Sequence, residues 1–190
     1  MIIIRSRKTI FIHIHRTGGT SMTSLLKQAL PNQVDVIAQH GNASTMEGKL
    51  LKEYPDYFIF SIVRNPWGRA LSWYSLLHKS DPKDLATERL RFEQFLLNKT
   101  QDDGNDSFLF NQVDYFKNAT HSIDNIMIYR YENYTEEVKK IAERLQITIQ
   151  EIPRINETKT KDYKDYYTER SNALIAEKCA RDIDYFGYSF

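Results

Sequence analysis

Six consecutive residues, Arg16-Thr17-Gly18-Gly19-Thr20-Ser21, have the types and spacing to hold an anion. A short apolar run, Ile10 to Ile14, leads into them. Two glycines then let the backbone come close to a ligand, and hydroxyl residues open a periodic segment. In such a turn the N–H groups of the loop and of the first helical residues surround a phosphate-sized anion. Thr20 and Ser21 add donors and Arg16 supplies charge. The same residues could make a plain Gly-Gly turn with Thr20 as helix cap, so the pattern alone leaves both readings open. A second cation stands in a similar place, because the apolar run Tyr57 to Val63 ends at Arg64, with Asn65 suited to an N-cap and Pro66 to a first helical position. The first loop is not a Walker A sequence, since Gly19 occupies the place of its Lys, and the second run ends in Arg64 where a Mg²⁺-binding carboxylate would be needed. Two cations at two strand ends suit a ligand that carries phosphates at two separate places.

The elements that must position these groups follow from periodicity. Ile10 to Ile14 and Tyr57 to Val63 read as buried strands, and Asn125 to Tyr131 as a third. Met22, Leu25, Leu26, Ala29 and Leu30 share one helical face that Pro31 terminates. Further helices are expected from Pro66 to about His78, through Val138, Ile141, Ala142 and Leu145, and from about Thr168 to Phe186. Strands alternating with helices imply an α/β fold with a central parallel sheet and a site at the carboxyl ends of its strands. Lys79 to Arg91 reads as charged and solvated, and Gln101 to Ser107 as a polar loop. No repeat or low-complexity tract is present.

Composition bounds the rest. The 190 residues are 41% hydrophobic and 13% aromatic, enough for one core, and the expectation is a single domain over residues 1–190. Twenty-six basic against 25 acidic side chains give a net charge of +1, which excludes a global field for nucleic acid. The N-terminus has neither a signal-peptide core nor a spanning segment, so a cytoplasmic protein is expected. Six N-x-Ser/Thr sequons, at Asn42, Asn98, Asn105, Asn118, Asn133 and Asn156, are then not expected to carry glycans. Cys179 is the single cysteine and reads as a small apolar helix residue. His13 and His15 alternate with Ile12 and Ile14, but without a third ligand nearby they read as lining a strand end, not as a metal site. Trp67, Trp73 and Tyr74 read as helix core.

The segments FIHIHRTGGTS and FSIVRNPWGRALSWY resemble the two nucleotide-binding motifs of the sulfotransferase family 2 enzymes. The resemblance continues through Tyr129-Arg130-Tyr131-Glu132-Asn133, through Asn156 to Tyr167, and into Asp182-Ile183-Asp184-Tyr185-Phe186-Gly187-Tyr188, so it spans nearly the whole chain. It implies a fold similar to nucleotide kinases in outline and 3'-phosphoadenosine 5'-phosphosulfate (PAPS) as donor, leaving 3'-phosphoadenosine 5'-phosphate (PAP). By the same resemblance the 5'-phosphosulfate would sit on residues 16 to 21. The 3'-phosphate would sit on Arg64 and on Ser72, eight residues later. Tyr163, Tyr166 and Tyr167 fall where the family closes a loop over the nucleotide.

Two departures from the family pattern bear on mechanism. The usual Pro-Lys before Thr-Gly-Gly is here His15-Arg16, and Arg16 keeps the charge of a leaving-group stabiliser but not the point geometry of Lys. The resemblance implies a base that is a His or Glu after the second strand region, often in a His-Ala-Ser-like motif, and here the segment reads Gln39-His40-Gly41-Asn42-Ala43-Ser44-Thr45-Met46-Glu47. His40 is the candidate, since an imidazole suits removal of a hydroxyl proton. Asn42 in the His position could not be a base, and Glu47 is the alternative, on a short helix that more naturally faces solvent. The implied reaction is in-line sulfuryl transfer to a hydroxyl, with an oligosaccharide or polysaccharide as expected acceptor and no required metal. A kinase-like phosphotransferase and a non-catalytic binder of PAP or glycan are the rivals.

Overall fold

The computed structural model describes residues 1–41, 49–78, 84–102, 110–116, 123–153 and 162–190. These fall into two compact units, Met1–Arg64 with Gln112–Ile155, and Asn65–Asn111 with Asn156–Phe190. The first unit contains a five-stranded sheet made of β1 (Ile2–Ile4), β2 (Thr9–Ile12), β3 (Asp35–Val36), β4 (Phe58–Val63) and β5 (Ile126–Arg130), in the order β3-β1-β2-β4-β5. Strands β2, β4 and β5 are parallel, with Phe11 opposite Phe60 and Phe60 opposite Met127. β1 and β3 extend them antiparallel. The expected parallel sheet is therefore the central part of a mixed one. The N-terminal isoleucines form a strand because the 3₁₀ turn Arg5–Arg7 and left-handed Lys8 (φ 45°) reverse the chain onto β2.

One face of the sheet carries Ile2, Ile4, Phe11, Phe60, Ile62 and Tyr129, which pack with Met22, Leu25, Leu26 and Leu30 of α1 (Gly19–Ala29) and Val138, Ile141 and Leu145 of α5 (Tyr134–Leu145). Phe11 stacks on Phe60 at 4.8 Å between ring centroids, which locks the register of the two strands that lead to the site. The alternate residues Ile3, Ile10, Ile12, Ile59 and Val63 are equally buried, and strands covered on both faces read as continuous apolar runs. β2 ends at Ile12, two residues before the expected Ile14, so His13 and Ile14 already belong to the turn. The short helix α2 (Lys49–Glu53) follows residues 42–48, which lie outside the described residues and include Glu47, Asn42 and Ser44.

The second unit is helical: α3 (Pro66–Leu77), α4 (Leu85–Asp102), α6 (Glu169–Lys178) and α7 (Ala180–Phe186). Asn65 caps α3 as its type predicts, accepting from the N–H groups of Trp67 and Gly68 while its amide donates to the Ser189 carbonyl. Trp67 and Tyr74 are buried, as expected of helix core. The segment expected to be solvated enters α4 instead. Glu88, Phe92, Phe95 and Leu96 recur on one face and are buried there, and Glu88 accepts a 2.8 Å bond from the Tyr74 hydroxyl and an ion pair from Arg91. A high charge density had hidden that stripe. Gln101 and Asp102 end the same helix; 103–107 are not among the described residues. The expected C-terminal helix is broken at Cys179 into α6 and α7, with Thr168 and Ser171 closing a reciprocal cap at its start. Tyr167 is buried and bonds the Trp67 carbonyl through its hydroxyl at 2.8 Å. Among the described residues, no helix is long and apolar enough to cross a membrane.

Cys179 is 1% exposed, and burial pushes its thiol up to about 12. The nucleophile is the thiolate, so the native protein should resist iodoacetamide at pH 8 and react fully once denatured in guanidinium. Stoichiometric labelling of the folded chain, read by mass spectrometry, would contradict this placement.

Candidate active site

The turn from β2 to α1 is built without room for side chains. Gly18 takes φ +82°, and a Cβ there would lie 2.6 Å from Cε2 of Tyr134. A Cβ on Gly19 would fall within the His13 ring. Arg16 is also left-handed, at φ 64°, so the loop alternates in hand over a few residues. A turn of alternating hand is the backbone form that makes anion-receiving concavities. Gly18 is the N-cap of α1 and offers no side-chain acceptor to the first turn. The loop is tied from outside: the buried Thr17 hydroxyl donates to the Ile14 carbonyl at 3.0 Å, and the Tyr134 hydroxyl donates to the Gly18 carbonyl at 2.9 Å. Ser21 is buried and bonds the Tyr134 phenol, whereas Thr20 is exposed at the start of α1.

Two guanidinium groups share the site. Arg64 follows β4, and its Nη1 donates to the Arg16 carbonyl at 3.4 Å. Burial and then the charge of Arg64 hold the Arg16 guanidinium below its ordinary value. Like charges drawn together in a half-buried turn are costly unless an anion joins them. The Arg64 guanidinium lies 4.2 Å above the Tyr131 ring, which holds it in place. Its main chain is clamped by the fully buried Gln112, whose Oε1 accepts from the Arg64 N–H at 2.9 Å while Nε2 donates to the Arg64 carbonyl at 2.8 Å.

Beside the turn three histidines pack together. The His15 and His40 rings stack with centroids 3.3 Å apart, and His40 meets His13 edge-on at 4.5 Å. His40 Nδ1 lies 3.4 Å from the His13 carbonyl, and His15 Nδ1 lies 2.8 Å from the Tyr115 hydroxyl. Burial depresses His13 to about 3, so it stays neutral, and burial also lowers His40. His13 is thus a wall of the turn that fills the space Gly19 leaves, in keeping with the sequence expectation of a strand-end lining.

The first unit brings together residues 16 to 21, Arg64 and His40. Ser72, on the second turn of α3, belongs to the other unit, where it is buried. Tyr131, Tyr134, Gln112 and Tyr115 had no assigned role in the sequence. Tyr131 lies in a segment that carried the family resemblance and could have been singled out. Gln112 and Tyr115 sit in a polar stretch with no periodic signal.

The two glycines make the turn's geometry testable. Gly18→Ala must take a left-handed backbone and meet Tyr134, and Gly19→Ala must displace His13, so each should lower stability by about 1–3 kcal/mol. Thermal denaturation should show both losses, with Gly187→Ala, where nothing lies within 4 Å of the added carbon, paying only for its left-handed backbone. Full stability of Gly19→Ala would mean the loop is wider than described.

The chain matches the model of the Sulfotransferase family over residues 1–189. No curated protein matches it in a sequence search. The family match runs through both cation-bearing strand ends and on to the last helix, so it is not the property of a single loop. The chain belongs to the sulfotransferase family and is an enzyme of sulfuryl transfer.

Proposed function

We propose that the enzyme takes its sulfuryl group from PAPS and delivers it to a hydroxyl of a carbohydrate acceptor. The observation that carries the donor assignment is the pair of guanidinium groups, Arg16 and Arg64, held at adjacent strand ends beside a glycine turn that a Cβ would fill. That arrangement fits a ligand with a phosphate on each cation. Residues 16 to 21 would hold the 5'-phosphosulfate and Arg64 the 3'-phosphate. Ser72 enters this reading through its spacing from Arg64 in the sequence. The bound donor supplies the activated sulfuryl group. The carbohydrate nature of the acceptor rests on what families of this kind commonly sulfate.

The chain's own groups supply the rest. Arg16 faces the turn where negative charge grows as the S–O bond breaks, and a preorganised cation there acts without reorganisation. His40 is the proposed base. Its Nδ1 lies 3.4 Å from the His13 carbonyl, and this reading puts the proton on Nδ1 and the lone pair on Nε2. Burial lowers its proton affinity, which keeps the ring unprotonated at neutral pH. In this scheme the two guanidinium groups balance the anionic charge of the donor, and no metal ion is assigned a part.

Calorimetry should show PAP binding in the presence of a chelator. Arg64→Ala should weaken it by roughly ten- to a hundredfold, the worth of a charge-assisted hydrogen bond. The loss should be much smaller for adenosine 5'-phosphosulfate. Equal losses for both ligands would assign Arg64 to the fold. Stabilisation by ATP only with Mg²⁺, and none by PAP, would turn the assignment toward a phosphotransferase.

For His40 the expected result is a fall in kcat of about 10²–10⁴-fold on substitution by Ala, at nearly unchanged PAP affinity. The sign of its shift fixes the pH profile. A base works when unprotonated, and a lowered pKa means the rate climbs through a limb below the ordinary imidazole value of about 6.5. Above that limb the rate should be flat, and the limb should vanish in His40→Ala. If His40→Ala keeps its activity while Glu47→Gln loses it, the base is Glu47.

A further inference from the structure

Position 15 is where this turn differs most in chemistry from the loops it resembles, which carry proline there. An imidazole at that place makes two contacts that bear on His40. Its Nδ1 lies 2.8 Å from the hydroxyl of Tyr115, and its face covers His40 with centroids 3.3 Å apart and planes 25° from parallel. Tyr115 is itself buried, at the end of the 3₁₀ turn Gln112–Tyr115, so its hydroxyl is a fixed point. Gln112 of that same turn clamps the main chain of Arg64.

The other hold on His40 is weak. Its bond to the His13 carbonyl is 3.4 Å long, at the limit of a useful hydrogen bond, and the His13 ring touches it only edge-on. A bond that long does not by itself fix the plane of an imidazole or its tautomer. The stacked ring fixes the plane, and within that plane Nδ1 faces the carbonyl, which favours the proton there. Whichever partner donates between Tyr115 and His15, the hydrogen bond fixes the His15 plane, and that plane fixes the next.

We infer that His15 and Tyr115 are positioning residues for the base, with Tyr115 orienting the His15 ring and the face of His15 orienting His40. The inference rests on the proposed role of His40. It adds a division of labour within one 3₁₀ turn, which sets the cation through Gln112 and the base through Tyr115.

The test reads the His40 ring directly. In the full-length protein labelled with ¹⁵N-histidine and saturated with PAP, the wild-type His40 should show a protonated Nδ1 and an unprotonated Nε2 at neutral pH. Tyr115→Phe and His15→Ala should both move these resonances toward a mixture of tautomers, while PAP affinity by calorimetry stays within about twofold, well under the tenfold that 1.4 kcal/mol represents. His15→Phe keeps a flat ring but not the Tyr115 bond, so it should show the partial shift of Tyr115→Phe and not the full shift of His15→Ala. Turnover should fall on the order of tenfold to a hundredfold in His15→Ala, the scale of a misplaced catalytic group, and less in His15→Phe and Tyr115→Phe. Unchanged His40 resonances in His15→Ala would overturn the inference, as would a parallel loss of PAP affinity, which would make His15 part of the anion cradle. Tyr115→Phe, which deletes one oxygen, decides the matter should His15→Ala not fold. Full activity of His40→Ala alongside a shifted tautomer would remove the base assignment and leave the positioning of the ring standing; lost activity with an unshifted tautomer would do the reverse.

Discussion

Two guanidinium groups at neighbouring strand ends repel each other, and the structure around them exists to hold them there. Arg16 has its proton affinity lowered by burial and then by the charge of Arg64. Each restraint nearby opposes that repulsion. Tyr131 lies under the Arg64 guanidinium, Gln112 grips the Arg64 backbone at both its polar atoms, and the Arg16 carbonyl accepts from Arg64 Nη1. A ligand that brings negative charge interacts favourably with both cations. This is the sense in which the free protein is organised for an anion.

The parallel strands explain why the two cations meet. β2 and β4 are adjacent and in register from Thr9 opposite Phe58 to Ile12 opposite Ser61, and their carboxyl ends open in the same direction. Phe11 and Phe60 stack across that pair, and the Ser61 hydroxyl donates to the Ile12 carbonyl at 2.6 Å, so both strand ends are set by buried contacts. The antiparallel β1 covers the other edge of β2 and makes it an interior strand.

Much of this was legible in the sequence, and the boundary of legibility is physical. Apolar runs that end at a Gly pair or at Arg-Asn-Pro announce strand-to-helix turns because few residue types tolerate those backbones, and α1, α3, β4 and β5 lie where periodicity put them. The α4 stripe was missed because Glu88 is buried through Tyr74, a partner 14 residues away that no local pattern reveals. β1 was missed because three residues carry too little pattern to separate a strand from an apolar tail. In the site, the loop residues and Arg64 were read from type and spacing. Tyr115 and Gln112 were invisible, since each acts at a point 100 and 48 residues away in the chain.

That distance has a consequence for how the molecule forms. The Arg64 backbone leaves β4 with its N–H and carbonyl both served by one side chain from Gln112, not by a neighbouring strand. Until residues 112–115 dock, the cation at the end of β4 has no fixed main chain behind it. The sheet pairing of β2 with β4 can be complete before then, because it needs only residues up to Val63. Assembly of the anion site thereby needs a contact across 48 residues of chain, on top of the 49 that separate Ser61 from Ile12 in the strand pairing, and each closure costs chain entropy. Recognition in this protein is an outcome of finishing the fold.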